Sequence, residues 1–243
     1  MRNIRILSIL ATITFFIIPG IFNATKAQSI DWGITGGMSV SSHLNNFSYI
    51  EDDINLQLKP DFTVGYNVGF VARTKLSRIV RLQAEPSLIL LGAKYDDTFT
   101  LRGTVFQTES RTALTYLQLP LLLQLTTAPK EQTIYGRKRA KTTFHLSGGL
   151  YSAYLLNAEF KGTNTGAPVG IQFEGEFSND VAPQFSTFDA GAVFGFGFEH
   201  GHYRKLGFET RAMLSAINSG DDPNNPSFEY RNMAVTFSIY FLW

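Results

Sequence analysis

Cysteine is absent from all 243 residues, which excludes both a disulfide framework and anchoring to lipid through an N-terminal cysteine. A charge excess of either sign is also missing. The 21 Lys and Arg face 20 Asp and Glu, a formal +1, and no basic footprint for nucleic acid remains. Beyond Phe22 there is no apolar run of the roughly 20 residues that a helical membrane span needs. The sequence also lacks a Ser-His-Asp spacing, a nucleophile elbow, a His pair at metal-ligand spacing and a glycine-rich phosphate loop. It therefore predicts no catalytic residue, no metal site and no cofactor.

What is plentiful is aromatic and small: aromatics make up 14% of the chain, and Phe and Gly each occur 21 times. The N-terminus opens with Arg2 and Arg5, then an apolar run from Ile6 to Phe22 broken by Ser8, two threonines and Pro19-Gly20. Thr25 and Ala27 stand where a signal peptidase needs small residues, so cleavage is expected between Ala27 and Gln28. Residues 1–27 then form a signal peptide and 28–243 the mature domain. Removing Arg2, Arg5 and Lys26 leaves 18 cations against 20 anions, a net −2.

The mature part alternates. Phe62, Val64, Tyr66, Val68 and Phe70 oppose Asp61, Thr63, Gly65, Asn67 and Gly69; Phe188, Ala190, Ala192, Phe194, Phe196 and Phe198 oppose Asp189, Gly191, Val193, Gly195, Gly197 and Glu199. Period two over such lengths is a strand signal that no helix fits. The final stretch does the same, with Met233, Val235, Phe237, Ile239, Phe241 and Trp243 on one side, as suits a lipid-facing strand ending in an interfacial aromatic. Eight strands are predicted, near 30–41, 61–73, 80–93, 112–127, 141–156, 185–199, 205–217 and 230–243, each longer than the roughly 9–11 residues a tilted spanning strand requires.

Two barrels fit eight alternating strands: a soluble lipocalin-like one with its apolar face inside, and a membrane one with that face outside. Glycines grouped with charged residues on the minor face favour the second, because glycine weakens a solvated strand but makes room in a narrow lumen. The other face carries no charge in any predicted strand. The expected fold is thus all-β, an eight-stranded antiparallel up-and-down transmembrane barrel, apolar outward and filled with polar side chains. Pro86 and Pro120 each remove a ladder donor, and bulges are expected there.

Links 42–60, 94–111, 157–184 and 218–229 are long and polar, whereas those around Lys75 and His202 are short. In outer-membrane barrels the long loops face outside and the short turns the periplasm, so both termini are expected in the periplasm of a Gram-negative cell, with outer-membrane lipid around the wall. The long loops, 157–184 above all, are the expected surface for a protein or glycan partner. Segment 128–140, APKEQTIYGRKRA, breaks the pattern as a long basic periplasmic turn. His43 with Glu51, Asp52 and Asp53, together with Asp180 and Asp221-Asp222, read as solvated loop tips, and His200 and His202 as flanks of a tight turn.

Counted from the periplasmic ends, Glu85, His145, Glu209 and Arg211 fall at similar heights inside, with Thr236 and Ser238 beside them. Arg211 is expected to pair with Glu85, Glu209 or both, since a lone buried charge bears a large desolvation penalty. The alternative is a proton or ion path, but eight strands leave an interior only wide enough for side chains.

The segments GITGGMS, VGYNVGFVA, RLQAEPSLILLGAKY, YLQLPLLLQL, HLSGGLYSAYLL, FDAGAVFGFGFE and MAVTFSIYFLW, in this order, resemble the PorT-like outer-membrane β-barrel family across about residues 30–243. Tyr116–Leu123 and Asp189–Glu199 are the most specific pieces. The resemblance implies an eight-stranded outer-membrane barrel and, for the family's namesake, a role in protein secretion. It maps no functional residue.

Overall fold

The computed structural model describes residues 30–45, 47–51, 54–101, 104–127, 133–134, 137–138, 140–166, 173–220 and 230–243. The cleavage-site residues Ala27 and Gln28, Asp52, Asp53, Asp221 and Asp222, and most of the basic 128–140 segment lie outside them.

The chain is an all-β antiparallel barrel. Its eight strands are β1 (Ile30–His43), β2 (Thr63–Lys75), β3 (Val80–Ala84, resuming as Ser87–Leu101), β4 (Thr104–Thr126), β5 (Lys141–Gly166), β6 (Phe188–Gly201), β7 (Lys205–Ser215) and β8 (Asn232–Leu242). Each pairs with the next, and β8 closes on β1 from Gly33↔Leu242 to His43↔Asn232. Closure gives every strand of the ring a partner on both sides, with a lapse in the ladder between β2 and β3.

Alternation decides which side chain goes where. Phe70, Leu150 and Phe194 stand 66–69% exposed on the outer wall, while Ser39, Gln124 and Glu209 are fully buried inside. The outward stripe of β8 is Val235, Phe237, Ile239 and Phe241, and Thr236, Ser238 and Tyr240 point inward. The inner glycines supply clearance. A Cβ on Gly197 would lie 2.8 Å from His145 Nε2, and one on Gly195 would lie 2.7 Å from Arg211 Cγ.

Neither proline inserts a residue. Register runs unshifted past both: Ala72↔Ala84 leads to Gly69↔Ser87 on one side of β3, and Ala84↔Leu121 leads to Ser87↔Gln118 on the other. The expected bulges are absent because each carbonyl still accepts a bond, Pro86 O from Phe70 N at 3.0 Å and Pro120 O from Glu85 N at 3.2 Å. Each ring thus removes one bond instead of displacing the strand. Irregularity occurs elsewhere, at Leu155/Asn157 between β4 and β5. It also occurs between β2 and β3, where the chain from Asn67 to Asp61 faces the shorter stretch from Ile89 to Lys94.

The ends of the barrel differ. At one end β2–β3 and β6–β7 are joined by tight turns. At the other, β3, β4 and β5 continue well beyond the ring, paired out to Leu101↔Thr104 and Phe106↔Gly166, and Phe173–Asp180 adds to the free side of Glu159–Gly166. Links 94–111 and 157–184, expected as loops, are thus largely a four-stranded blade. Link 42–60 holds a hairpin, Phe47–Glu51 with Ile54–Leu58.

Candidate functional site

The lumen is filled in layers. Nearest the tight turns, the Glu199 carboxylate is gripped by Arg73 Nη1 and Arg81 Nη1, both at 2.6 Å. Arg73 Nε also donates to Gln83 Oε1 at 2.8 Å, and its guanidinium lies 5.0 Å from the centre of the Tyr240 ring. Planar guanidinium forks suit a carboxylate held between them, and burial strengthens each contact.

Above this, Arg211 Nη2 donates to Glu85 Oε2 at 2.6 Å and to Glu209 Oε2 at 2.9 Å. Gln83 Nε2 donates to Glu85 at 2.8 Å and Ser147 Oγ to Glu209 at 2.6 Å, while His145 Nε2 lies 3.6 Å from Glu209 Oε2. The structure therefore brings Glu85, His145, Glu209 and Arg211 together. Ser238 binds Asn67 at 2.9 Å instead of joining them. Gln83 links the two charged layers, accepting from Arg73 and donating to Glu85, and Gln124 Nε2 also donates to its oxygen at 3.0 Å.

The next layer is built around Asp189, which accepts from Ser215 Oγ at 2.5 Å, Asn232 Nδ2 at 3.0 Å and Tyr151 OH at 3.3 Å. Around and beyond it the filling turns apolar, with Ile89, Leu91, Leu114, Val193 and Met213 buried in one cluster. At the long-strand end Tyr95 and Tyr230 gather with His43 and Phe185 in an aromatic cluster. The Tyr95 and Tyr230 hydroxyls are 2.5 Å apart, His43 Nε2 is 3.1 Å from Thr112 Oγ1, and Phe185 packs edge-on to Tyr230.

His43 is thus not a loop-tip residue. It ends β1 with its ring inside, 3.7 Å from that of Tyr230, because the strand's inward parity (Ser39, Ser41, His43) carries one step further than predicted. Asp180 is exposed and accepts from Ala182 N at 2.9 Å, which caps a short turn. His200 contacts Thr142 at 3.0 Å on the outside. Among the described residues, no group of three or more His, Cys, Asp or Glu side chains is placed to hold a metal.

Sequence reading missed the Arg73–Arg81–Glu199 layer and the Asp189 layer. Parity already put these residues inside, but their places beside tight turns or at strand starts resemble solvated ends.

The chain matches the outer membrane protein beta-barrel domain over residues 26–220. No curated protein matches it. Among solved structures it is similar to Ail, the attachment invasion locus protein of Yersinia pestis, in complex with the heparin analogue sucrose octasulfate. That similarity has 8% identity, 88% coverage of this chain and 99% of that one, and a TM-score of 0.32. It is also similar to the outer membrane protein OprG from Pseudomonas aeruginosa, at 14% identity, 88% and 96% coverage, and a TM-score of 0.36. With a closed eight-stranded ring, an apolar outer wall and a domain match spanning most of its length, the chain belongs to the outer membrane protein beta-barrel domain family.

Proposed function

We propose that this outer-membrane barrel is an interaction protein whose working surface is the blade formed by the ends of β3, β4 and β5 with Phe173–Asp180. The carrying observation is strand length. β4 and β5 run for 23 and 26 residues, more than twice the roughly 9–11 that a tilted span uses, so a backbone-rigid sheet stands clear of the bilayer. Among the described residues its outermost strand, Phe173–Asp180, pairs on one side only, which suits strand addition by a partner protein or contact with a surface glycan. Glu174, Glu176 and Asp180 lie exposed along it, and these charges guard the edge against indiscriminate pairing.

On this reading the chain is exported, cut between Ala27 and Gln28, and inserted with both termini in the periplasm and the blade outside. The layered lumen supports a closed barrel with no solute path, and the inner carboxylates, His145 and Arg211 serve as structure, not as catalysts. A photo-crosslinker at Glu176 in intact cells should capture a discrete partner that one at Phe194 on the outer wall does not. Failure to capture any partner, together with discrete openings of the purified barrel in a bilayer, would replace this reading with a channel. The PorT-like resemblance supports a narrower version, in which the captured partner belongs to a protein-secretion assembly.

A further inference from the structure

On the outer wall the aliphatic belt ends at Leu117 of β4 and Leu156 of β5, and charge begins a short step beyond. Arg111 is paired in register with Lys94 on one side and with Lys161 on the other. All three point outward, since the adjoining Ala93 and Thr112 are buried and Phe160, next to Lys161, packs inward on Ala93 and Tyr95. Neighbouring strands lie about 4.8 Å apart, so the cations form a row roughly 10 Å long.

Like charges directly opposite across strands repel, and three carboxylates, Asp96, Glu109 and Glu159, answer the three cations but reach only the two lysines. Lys94 lies 3.3 Å from Asp96 and 3.8 Å from Glu109, and Lys161 pairs with Glu159. Hydrogen bonding to Lys161 holds the Glu159 carboxyl below the usual carboxylate range. Arg111 has no carboxylate partner among the described residues.

Beside the row runs a groove of about 250 Å³, lined by Arg111, Lys161, Glu159 and Asn157 together with the apolar Val64, Tyr66 and Leu90. Its origin is the mismatch between β2 and β3. Where their ladder lapses, hydroxyls from β1 serve the β3 backbone instead: Ser39 Oγ donates to Leu90 O at 2.7 Å and Ser41 Oγ to Gly92 O at 3.0 Å. The two strands stay together without closing the outer surface between them.

A groove whose polar residues include a guanidinium unpaired among the described residues, Arg111, with apolar side chains beside them, fits an amphiphile with an anionic head. We propose that it binds a phosphorylated saccharolipid of the lipid A type, with a phosphate on Arg111 and Lys161 and an acyl chain along Val64 and Tyr66. Arg111 is free to take the phosphate and Lys161 to share it with Glu159, while Asn157 and Glu159 offer partners for sugar hydroxyls. The assignment rests on the proposed orientation, because this lipid belongs to the outer leaflet.

The test reconstitutes the mature protein with bisphosphorylated lipid A, its dephosphorylated form, or phosphatidylglycerol, and reads retained lipid by native mass spectrometry. Bisphosphorylated lipid A should be retained about tenfold better than either alternative, and Arg111→Gln with Lys161→Gln should lose about that factor, the scale of one charge-assisted contact. The double variant should keep the heat-dependent gel shift of a folded barrel. Equal retention of the three lipids by the wild type, or undiminished retention by the folded variant, would overturn the proposal. Maleimide labelling of Asn164→Cys on intact cells reports the orientation separately, so a reversed barrel is distinguished from an empty groove.

Discussion

The two faces of β6 obey opposite rules. Outward, Phe194, Phe196 and Phe198 meet the membrane, where a charge has no partner; inward, Gly195, Gly197 and Glu199 meet Arg211, His145 and the arginine pair Arg73 and Arg81. A guanidinium is therefore an asset on one face and a fault on the other, one residue apart. The difference arises from what surrounds the side chain, because the backbone and its ladder are the same for both.

The comparison breaks most severely at Arg211. Arg211→Leu leaves Glu85 and Glu209 buried without their cation, and should cost about 3–5 kcal/mol, read as a lower urea midpoint in detergent or lipid. Adding Glu85→Gln and Glu209→Gln to that variant should recover part of the loss. The mirror-image change, Phe194→Arg on the outer wall, should cost about 2–4 kcal/mol in a bilayer, and much less in a small detergent micelle that admits water.

Glycine sharpens the contrast at lower energy. Gly197→Ala puts a methyl 2.3 Å from Phe208 O and 2.8 Å from His145 Nε2, and should destabilise by about 1–3 kcal/mol. Gly148→Ala meets only the Phe194 ring, at 3.6 Å, and should change stability by no more than about 0.5 kcal/mol. Equal effects from the two alanines would mean that the faces do not differ in packing.

Barrel and wall were legible in the sequence because a membrane imposes contrast: every second side chain must be apolar, and period two becomes visible. Beyond the bilayer that contrast vanishes. Ala158–Gly166, AEFKGTNTG, is as much a strand as Thr63–Phe70, but water meets much of its surface and its polarity no longer alternates, so it read as loop. The prolines misled for a local reason, since losing one donor does not force an inserted residue. In the lumen, parity placed Glu85, Glu209 and Arg211 on the inner face. Which of them touch depends on strand shear, and the layers near the strand ends went unseen because charge there resembles ordinary solvated ends.

The absence of cysteine makes the central claim directly measurable. Single cysteines at Phe194, Phe196 and Phe237, and at Ser147 and Thr236, would carry nitroxide labels in reconstituted bilayers for accessibility measurements. The first three labels should collide freely with membrane-dissolved oxygen and not with a water-soluble nickel chelate, and the last two should be shielded from oxygen and motionally restricted. Oxygen-shielded, immobile labels at Phe194 and Phe196 would place the aromatic stripe inside the molecule and contradict the account.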